Sequence, residues 1–376
     1  MDTPNPSVRS SAGASPAPSA HPQVLLTLDD LTQDLIWPRL FRAASVALSP
    51  SRLCMGILLA VVLGLLIRLF DWLADRTVGG DASAAPVARL ERHVESIIDP
   101  IAAFNAPAAA AALYHLVIRK PAMLLIDHPL AMLVAVPLII LAIAALGGAI
   151  ARSAAASFAA GSYTPWPRAL GFSLGRIGSL VGAMLALPVA AWLICLLLAI
   201  AGWMLLNLPV LNVIGGLAYG LALIAGLVAF MLAAAVLLGG PLVIPAVVCD
   251  GADAIDAAQR SFAYVIGRPL RLAIYALILF GLGVAACWLV AWAAHGAIEF
   301  AGASTHAWVT PPADAPAPGW MARQTGELIR LWTLLALIAV SGYAISYFFC
   351  ASTILYLAIR RVSDGQEMSD LSPKAV

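Results

Sequence analysis

Charge is what this chain has least of. Only 11% of its 376 residues are Asp, Glu, Lys or Arg, while 62% are hydrophobic. Soluble domains carry roughly 25% charged and roughly 45–50% apolar residues. Between Asp127 and Asp250 there is no acidic residue, and the basic ones are Arg152, Arg168 and Arg176. A water-soluble fold would leave that stretch without solvating charge, whereas a bilayer would not. The composition therefore points to an integral membrane protein.

Other absences narrow the chemistry. The five cysteines (Cys54, Cys195, Cys249, Cys287, Cys350) contain no C-x-x-C pair, which argues against a disulfide framework or a zinc site. Cys54 and Cys249 flank spans, where lipidation is one reading and small apolar filler the favoured one. His93, His115, His128, His295 and His306 fall outside or at the outer edge and lack metal-ligand spacing. Walker A, G-x-S-x-G, H-E-x-x-H and dinucleotide fingerprints are all missing. No span centre carries an ionisable residue; Arg68, His295 and Arg330 sit near outer ends and can snorkel. Coupled transporters, pumps and voltage sensors usually need such groups at depth. The expectation is a protein that is not an enzyme, with no cofactor, no metal and no nucleic-acid partner.

What is present is apolar sequence in long runs. About 20 apolar residues cross a bilayer as a helix, and six stretches qualify: 53–73, 130–151, 177–206, 211–240, 270–298 and 328–358. The last four exceed the minimum and should tilt or kink. Pro137 and Pro188 are expected kinks, because each removes a helical hydrogen bond. Asn207 and Pro209 mark a short turn that makes spans three and four an antiparallel hairpin. Gly239-Gly240, followed by Pro241 and Pro245, suggests a broken, partly re-entrant end to span four. Residues 1–23, rich in Pro, Ser and Ala, read as a disordered tail. The membrane domain covers 24–358, with an outer loop at 74–129 and a tail at 359–376. Within the outer loop, 87–98 and the segment after Asp99 read as amphipathic helices. They would cap the outer face or contact an extracytoplasmic partner, since the loop lacks the length for an independent enzyme domain.

Orientation follows the placement of Lys and Arg in short loops. With both termini inside, the inner segments hold 13 of the 21 basic residues: Arg9, Arg39, Arg42, Arg52, Arg152, Arg168, Arg176, Arg260, Arg268, Arg271, Arg360, Arg361 and Lys374. Most of the remaining ones lie in the long loop 74–129, where the rule has least force. Trp72, Trp203, Trp308 and Trp332 mark outer edges, and Trp37 and Trp166 inner ones. The expected address is the inner (plasma) membrane, with cytoplasmic termini.

Three segments precede spans on the inner side. In 253–266, Ile255, Ala258, Phe262, Val265 and Ile266 share one helical face, and Asp253, Asp256, Arg260 and Tyr264 the other. Asp253 is placed to cap and Asp256 to pair with Arg260 four residues on. Gly267 offers a C′ residue, and Pro269 prevents continuation. Such a helix would lie in the interface, apolar face down. Trp37-Pro38-Arg39 and Trp166-Pro167-Arg168 open comparable segments before spans one and three, ending at Arg52 and Arg176. The expected fold is all-α: about six transmembrane helices in three hairpins, each preceded by an inner interfacial amphipathic helix; the two Trp-Pro-Arg tripeptides mark either a repeat of the hairpins or interface chemistry arrived at twice.

Two sets of residues are singled out for function. Arg39, Arg168, Arg176, Arg260, Arg268 and Arg271 are candidate lipid headgroup contacts. Tyr343, Ser346, Tyr347, Cys350 and Thr353 share a face of span six, as interhelical glue or as the lining of a cavity. Gly178-x-x-x-Gly182, Gly216-x-x-x-Gly220 and the Gly281/Gly283 pair would permit close helix packing, within one chain or between copies.

The segment "DAIDAAQRSFAYVIGRPLRL" resembles an element, A-x-x-x-S-aromatic, that precedes spans in YciC-like families and in the membrane domain of some glycerophosphodiester phosphodiesterases. "GGAIARSAAASFA" and "YLAIRRVSDGQEM" resemble segments in membrane proteins of planctomycete-type bacteria. The resemblance implies a helical inner-membrane protein and carries no catalytic residue, because the phosphodiesterase barrel is absent here. The functional expectation is a protein that organises or binds membrane lipids or protein partners, as a homo-oligomer or through loop 74–129. The alternative is a carrier or channel for a lipid or small apolar solute.

Overall fold

The structure, a computed structural model, describes residues 40–77, 105–159, 161–207, 211–306 and 320–366. The tail 1–23, Trp37-Pro38-Arg39, the expected helix at 87–98, Pro209, Trp308 and Lys374 lie outside the described residues. Among those described, the chain is helical with no strand. It runs through α1 (Arg42–Ala47), α2 (Pro50–Thr77), α3 (Ala106–Tyr114), α4 (Lys120–Asp127), α5 (Pro129–Ala142), α6 (Gly148–Ala159) and α7 (Trp166–Gly175). It continues through α8 (Ile177–Asn207), α9 (Leu211–Asp250), α10 (Ala254–Gly267), α11 (Pro269–His306) and α12 (Trp320–Asp364). Two π-helical turns, His115–Arg119 and Ile143–Gly147, join α3 to α4 and α5 to α6.

Among the described residues, seven helical runs are long and apolar enough to cross a membrane, one more than the sequence predicts. The addition is Pro107–Asp127, inside the expected outer loop. Asn105 caps it, accepting from the Ala108 amide at 3.1 Å, and the helix is continuous through the π-turn to Asp127. It lies against the α8–α9 hairpin, where the Trp192 indole donates to the Val117 carbonyl at 2.9 Å.

Prolines set the corners. Ser49, His128 and Arg268 each precede a proline that opens α2, α5 or α11, and the residue before a proline is driven out of the helical region. His128 and Arg268 accordingly sit at φ −131° and −143°. The expected stop at Gly267 is therefore made by Pro269 alone. Gly267 keeps its place in the helix, and among the described glycines positive φ is found at Gly161, Gly251 and Gly365. Pro137 and Pro188 stay inside helices. So do Pro241 and Pro245, which corrects the expected break: α9 runs unbroken to Asp250. Neighbouring helices can satisfy the backbone groups a proline frees, so proline is tolerated in a buried transmembrane helix.

Packing is concentrated at one end of the bundle. The residues Leu146–Ala156, Leu242–Cys249 and Phe349–Arg360 are buried without interruption. Their centre is α6, whose sequence GAIARSAAASFA is small enough for α1, α2, α7, α9 and α12 all to touch it. Helices in lipid associate through dispersion and close backbone approach, not through expulsion of water, so small residues favour this arrangement. The same end holds α1, α7, α10 and the last turns of α12. We call it the packed end. The opposite, open end consists of the far halves of α8, α9, α11 and α12. There Leu217, Leu221, Trp288, Trp292 and Trp332 are exposed.

Glycine packing differs from the expectation. A Cβ at Gly178, Gly216, Gly220 or Gly281 would meet nothing within 4 Å. The close crossing is instead between α2 and α12, where a Cβ at Gly342 would lie 2.7 Å from Ile57 Cα and one at Gly56 would strike the Gly342 carbonyl. Gly182 and Gly283 do face neighbours, Ala254 and the Tyr347 ring. Each of α1, α7 and α10 is a short helix joined by a corner to a long one.

Candidate functional site

Asp250 ends α9, and Gly251, at φ 63°, turns the chain towards α10. Three side chains converge on its carboxylate. Arg260 Nη1 donates to Oδ2 at 2.7 Å, Arg360 Nη1 to Oδ1 at 2.5 Å, and the Tyr356 hydroxyl to Oδ2. Arg360 is only 1% exposed. Beside this corner, Arg176 Nη1 donates to the Gly251 carbonyl at 2.6 Å. One step outward, the Tyr264 hydroxyl donates to Asp364 Oδ2 at 2.5 Å, its ring tilted against Tyr356 with centroids 5.8 Å apart. Burial, and then the bond to Asp364, push the Tyr264 phenol above its ordinary value. The network joins the ends of α8, α9, α10 and α12. A carboxylate offers about four lone-pair directions; with three strong donors in place, Asp250 is suited to holding helices together and poorly suited to moving protons.

Two further arginines are buried at this end. Arg52 staples the α1–α2 corner to α6, donating from Nε to the Val46 carbonyl at 2.6 Å and from Nη1 to the Ser153 carbonyl at 3.0 Å. Val46 lies in the last turn of α1, whose carbonyls lack intrahelical partners. Arg152 lies 4.8 Å from the centroid of the Phe172 ring, a cation–π contact, and its Nη1 has no hydrogen-bond partner among the described residues. Arg52, Arg152 and Arg360, which count among the inner-side basic residues that set the expected orientation, are 5%, 6% and 1% exposed.

Helix α10 is rotated relative to its expected face. Tyr264 turns inward with Ala257, Ala258, Ser261 and Val265, while Ile255 and Ile266 are exposed. The Asp364 acceptor and the Tyr356 ring make the inward position favourable for a phenol. Asp253 makes no side-chain cap, and Arg260 reaches back to Asp250 instead of pairing with Asp256. Of the six arginines singled out as headgroup contacts, Arg168, Arg260, Arg268 and Arg271 are exposed at the packed end, Arg176 is half-buried, and Arg39 lies outside the described residues.

The polar face of α12 is buried. Ser346 donates to the Ala47 carbonyl at 2.9 Å, Tyr347 to Leu279 at 2.6 Å, Tyr343 to Ala44 at 3.5 Å, and Thr353 to its own Phe349 at 2.7 Å. These bonds tie α12 to α1 and α11; Cys350 is fully buried among them. Of the five, Tyr347 borders an apolar cavity of 420 Å³ between α9, α11 and α12. A larger apolar cavity of 610 Å³ lies on the other side of Pro241 and Phe348, between α2, α8, α9, α12 and the second π-turn. Among the described residues, no three His, Cys, Asp or Glu side chains come together as a metal site.

The sequence reading missed Asp250, Tyr356, Arg360 and Asp364 as partners. A signal was available in part: Asp250 is the first acid after Asp127, and Tyr356 and Arg360 stand four apart, on one helical face. Comparison with known proteins adds no assignment: no family model, no curated protein and no solved structure matches the chain.

Proposed function

We propose that this chain is a non-enzymatic, multi-pass inner-membrane protein that binds and organises membrane lipids, with its packed end, where α1 and the last turns of α12 both lie, on the cytoplasmic side. The observation that carries the reading is a division of labour among the cations. The buried arginines Arg52 and Arg360 are spent on holding helices, whereas Arg168, Arg268 and Arg271 are exposed around the same end. Exposed cations at a bilayer surface attract anionic headgroups, by about 1 kcal/mol for each Lys or Arg near the surface. The likeness of residues 253–272 to the YciC-like element agrees with an inner-membrane setting.

The test is lipid retention. Purified in mild detergent and analysed by mass spectrometry, the protein should keep anionic phospholipid above its share of the membrane. Arg168→Gln, Arg268→Gln and Arg271→Gln together should abolish that enrichment. Equal retention of neutral and anionic lipid by the unaltered chain would sink the reading. Apolar cavities such as those beside Phe348 favour a second reading, a carrier of apolar molecules. Passage of a fluorescent lipid between leaflets of proteoliposomes, faster than in protein-free vesicles, would establish it.

A further inference from the structure

The 610 Å³ cavity is an apolar recess, open on one side beside the half-exposed Phe348, and its volume falls within the range of about 300–1,000 Å³ usual for ligand pockets. Its walls collect the backbone irregularities of three helices: Ile143 belongs to a π-turn, Pro188 interrupts the hydrogen bonding of α8, and Gly240-Pro241 lies in α9. Such π-turns recur at functional sites. No charged residue lines the cavity. Its bordering ring, Phe348, is half-exposed and also walls the second cavity. The hydroxyls nearest that second cavity, Tyr347 and Ser352, are already committed to the Leu279 and Phe348 carbonyls. The 610 Å³ cavity itself is lined by no hydroxyl and no charged side chain, so it suits an apolar occupant.

We infer that the cavity between α2, α8, α9 and α12 is a binding site for an aliphatic chain of a membrane lipid, with Phe348 as the partition between it and the second cavity. The inference rests on the lipid-binding reading above and names the part of the lipid held. Headgroup charge has no role in it.

Gly240 supplies the test. A Cβ there meets nothing within 4 Å, and the residue borders the cavity, so Gly240→Leu fills space without striking backbone. Full-length protein is reconstituted in phosphatidylcholine carrying a diazirine on one acyl chain, irradiated, and its labelled peptides are quantified. Peptides containing Pro241 and Phe348 should carry more label than the peptide around Leu217, which is more exposed. Gly240→Leu should lower cavity labelling by about tenfold, which corresponds to about 1.4 kcal/mol of chain affinity. Gly220→Leu, at the open end, should leave it unchanged. Phe348→Ala should join the cavities and extend labelling to the peptide containing Phe280 and Val284. Thermal unfolding in detergent confirms that each variant is folded. Labelling no greater at Phe348 than at Leu217, and insensitive to Gly240→Leu in a folded protein, would overturn the site. Because the probe is neutral, this result is independent of the arginine test: cavity labelling without anionic enrichment removes only the headgroup reading, and the reverse removes only the cavity site.

Discussion

The packed and open ends of this bundle are built from the same helices with different residues. At the packed end α6 presents Gly148, Ala149, Ala151, Ala154 and Ala155 to its neighbours, and buried arginines find carbonyls, a ring or a carboxylate. At the open end the continuations of α9, α11 and α12 turn Leu, Trp and Phe outward. Those three helices have 40, 38 and 45 residues, about 57–68 Å at 1.5 Å per residue, longer than a bilayer of about 40–45 Å with headgroups. Small residues and polar ties hold helices together where lipid provides no hydrophobic drive, and large apolar residues serve as lipid-facing surface. Specific stability should therefore reside almost wholly at the packed end.

The largest effect is expected at Asp250. Asp250→Ala leaves Arg360, almost fully buried, without its carboxylate and releases Tyr356 and Arg260. Breaking a buried pair by removing one partner costs about 3–5 kcal/mol. Thermal unfolding in mild detergent should show that loss. The double variant Asp250→Leu with Arg360→Met, which removes both charges, should recover much of it. A cost under about 1 kcal/mol for the single change would mean that the network is ornamental and the packed end is held by dispersion alone.

A smaller loss is expected where α2 crosses α12. Gly342→Val places atoms against Ile57 Cα, which no side-chain rotation can clear. Overpacking of this kind costs about 1–3 kcal/mol. Unchanged stability would show that the two helices can separate locally, and the tight crossing would no longer distinguish the ends.

The Tyr264–Asp364 tie comes next, and it adds a pH dependence. Its phenol is raised in the folded protein, so its contribution is complete below the ordinary phenol value of about 10 and is lost as pH rises through the higher folded value. Tyr264→Phe should cost about 1 kcal/mol at neutral pH and should flatten this part of the alkaline fall in unfolding temperature. Identical alkaline profiles for the variant and the parent would remove Tyr264 as a contributor.

The sequence made the membrane class, most spans and the corners legible because these depend on local composition and on proline. Charge-poor runs reveal helices in lipid one at a time, and Pro50, Pro129 and Pro269 each act on the residue before them. The partners of buried polar groups were not legible. Arg360 and Asp250 are 110 residues apart, and a basic residue next to a span looks the same whether it meets headgroups or a buried carboxylate. The glycines show the same limit. Spacing singled out Gly216 and Gly220, whereas the crossing uses Gly56 and Gly342, lone glycines on helices far apart in sequence. The added run Pro107–Asp127 is the least apolar of the seven, so its polar ends read as a loop.

The smallest effect is expected at those open-end glycines. A Cβ at Gly216 or Gly220 enters open space, and surface substitutions away from specific contacts usually change stability by less than about 0.5 kcal/mol. Gly216→Leu and Gly220→Leu should therefore leave the unfolding temperature nearly unchanged, and removing helical glycine would offset any small loss. Size-exclusion chromatography with light scattering makes the measurement decisive. If either substitution lowers both stability and particle mass, the open end is packed against a second copy, as small-x-x-x-small motifs permit. The contrast between the ends would then belong to the isolated chain, and the exposed leucines and tryptophans of α9 and α11 would be interface as well as lipid-facing surface. Neutral substitutions with unchanged mass leave lipid as the only neighbour of that half, the condition under which a packed end alone can hold the bundle.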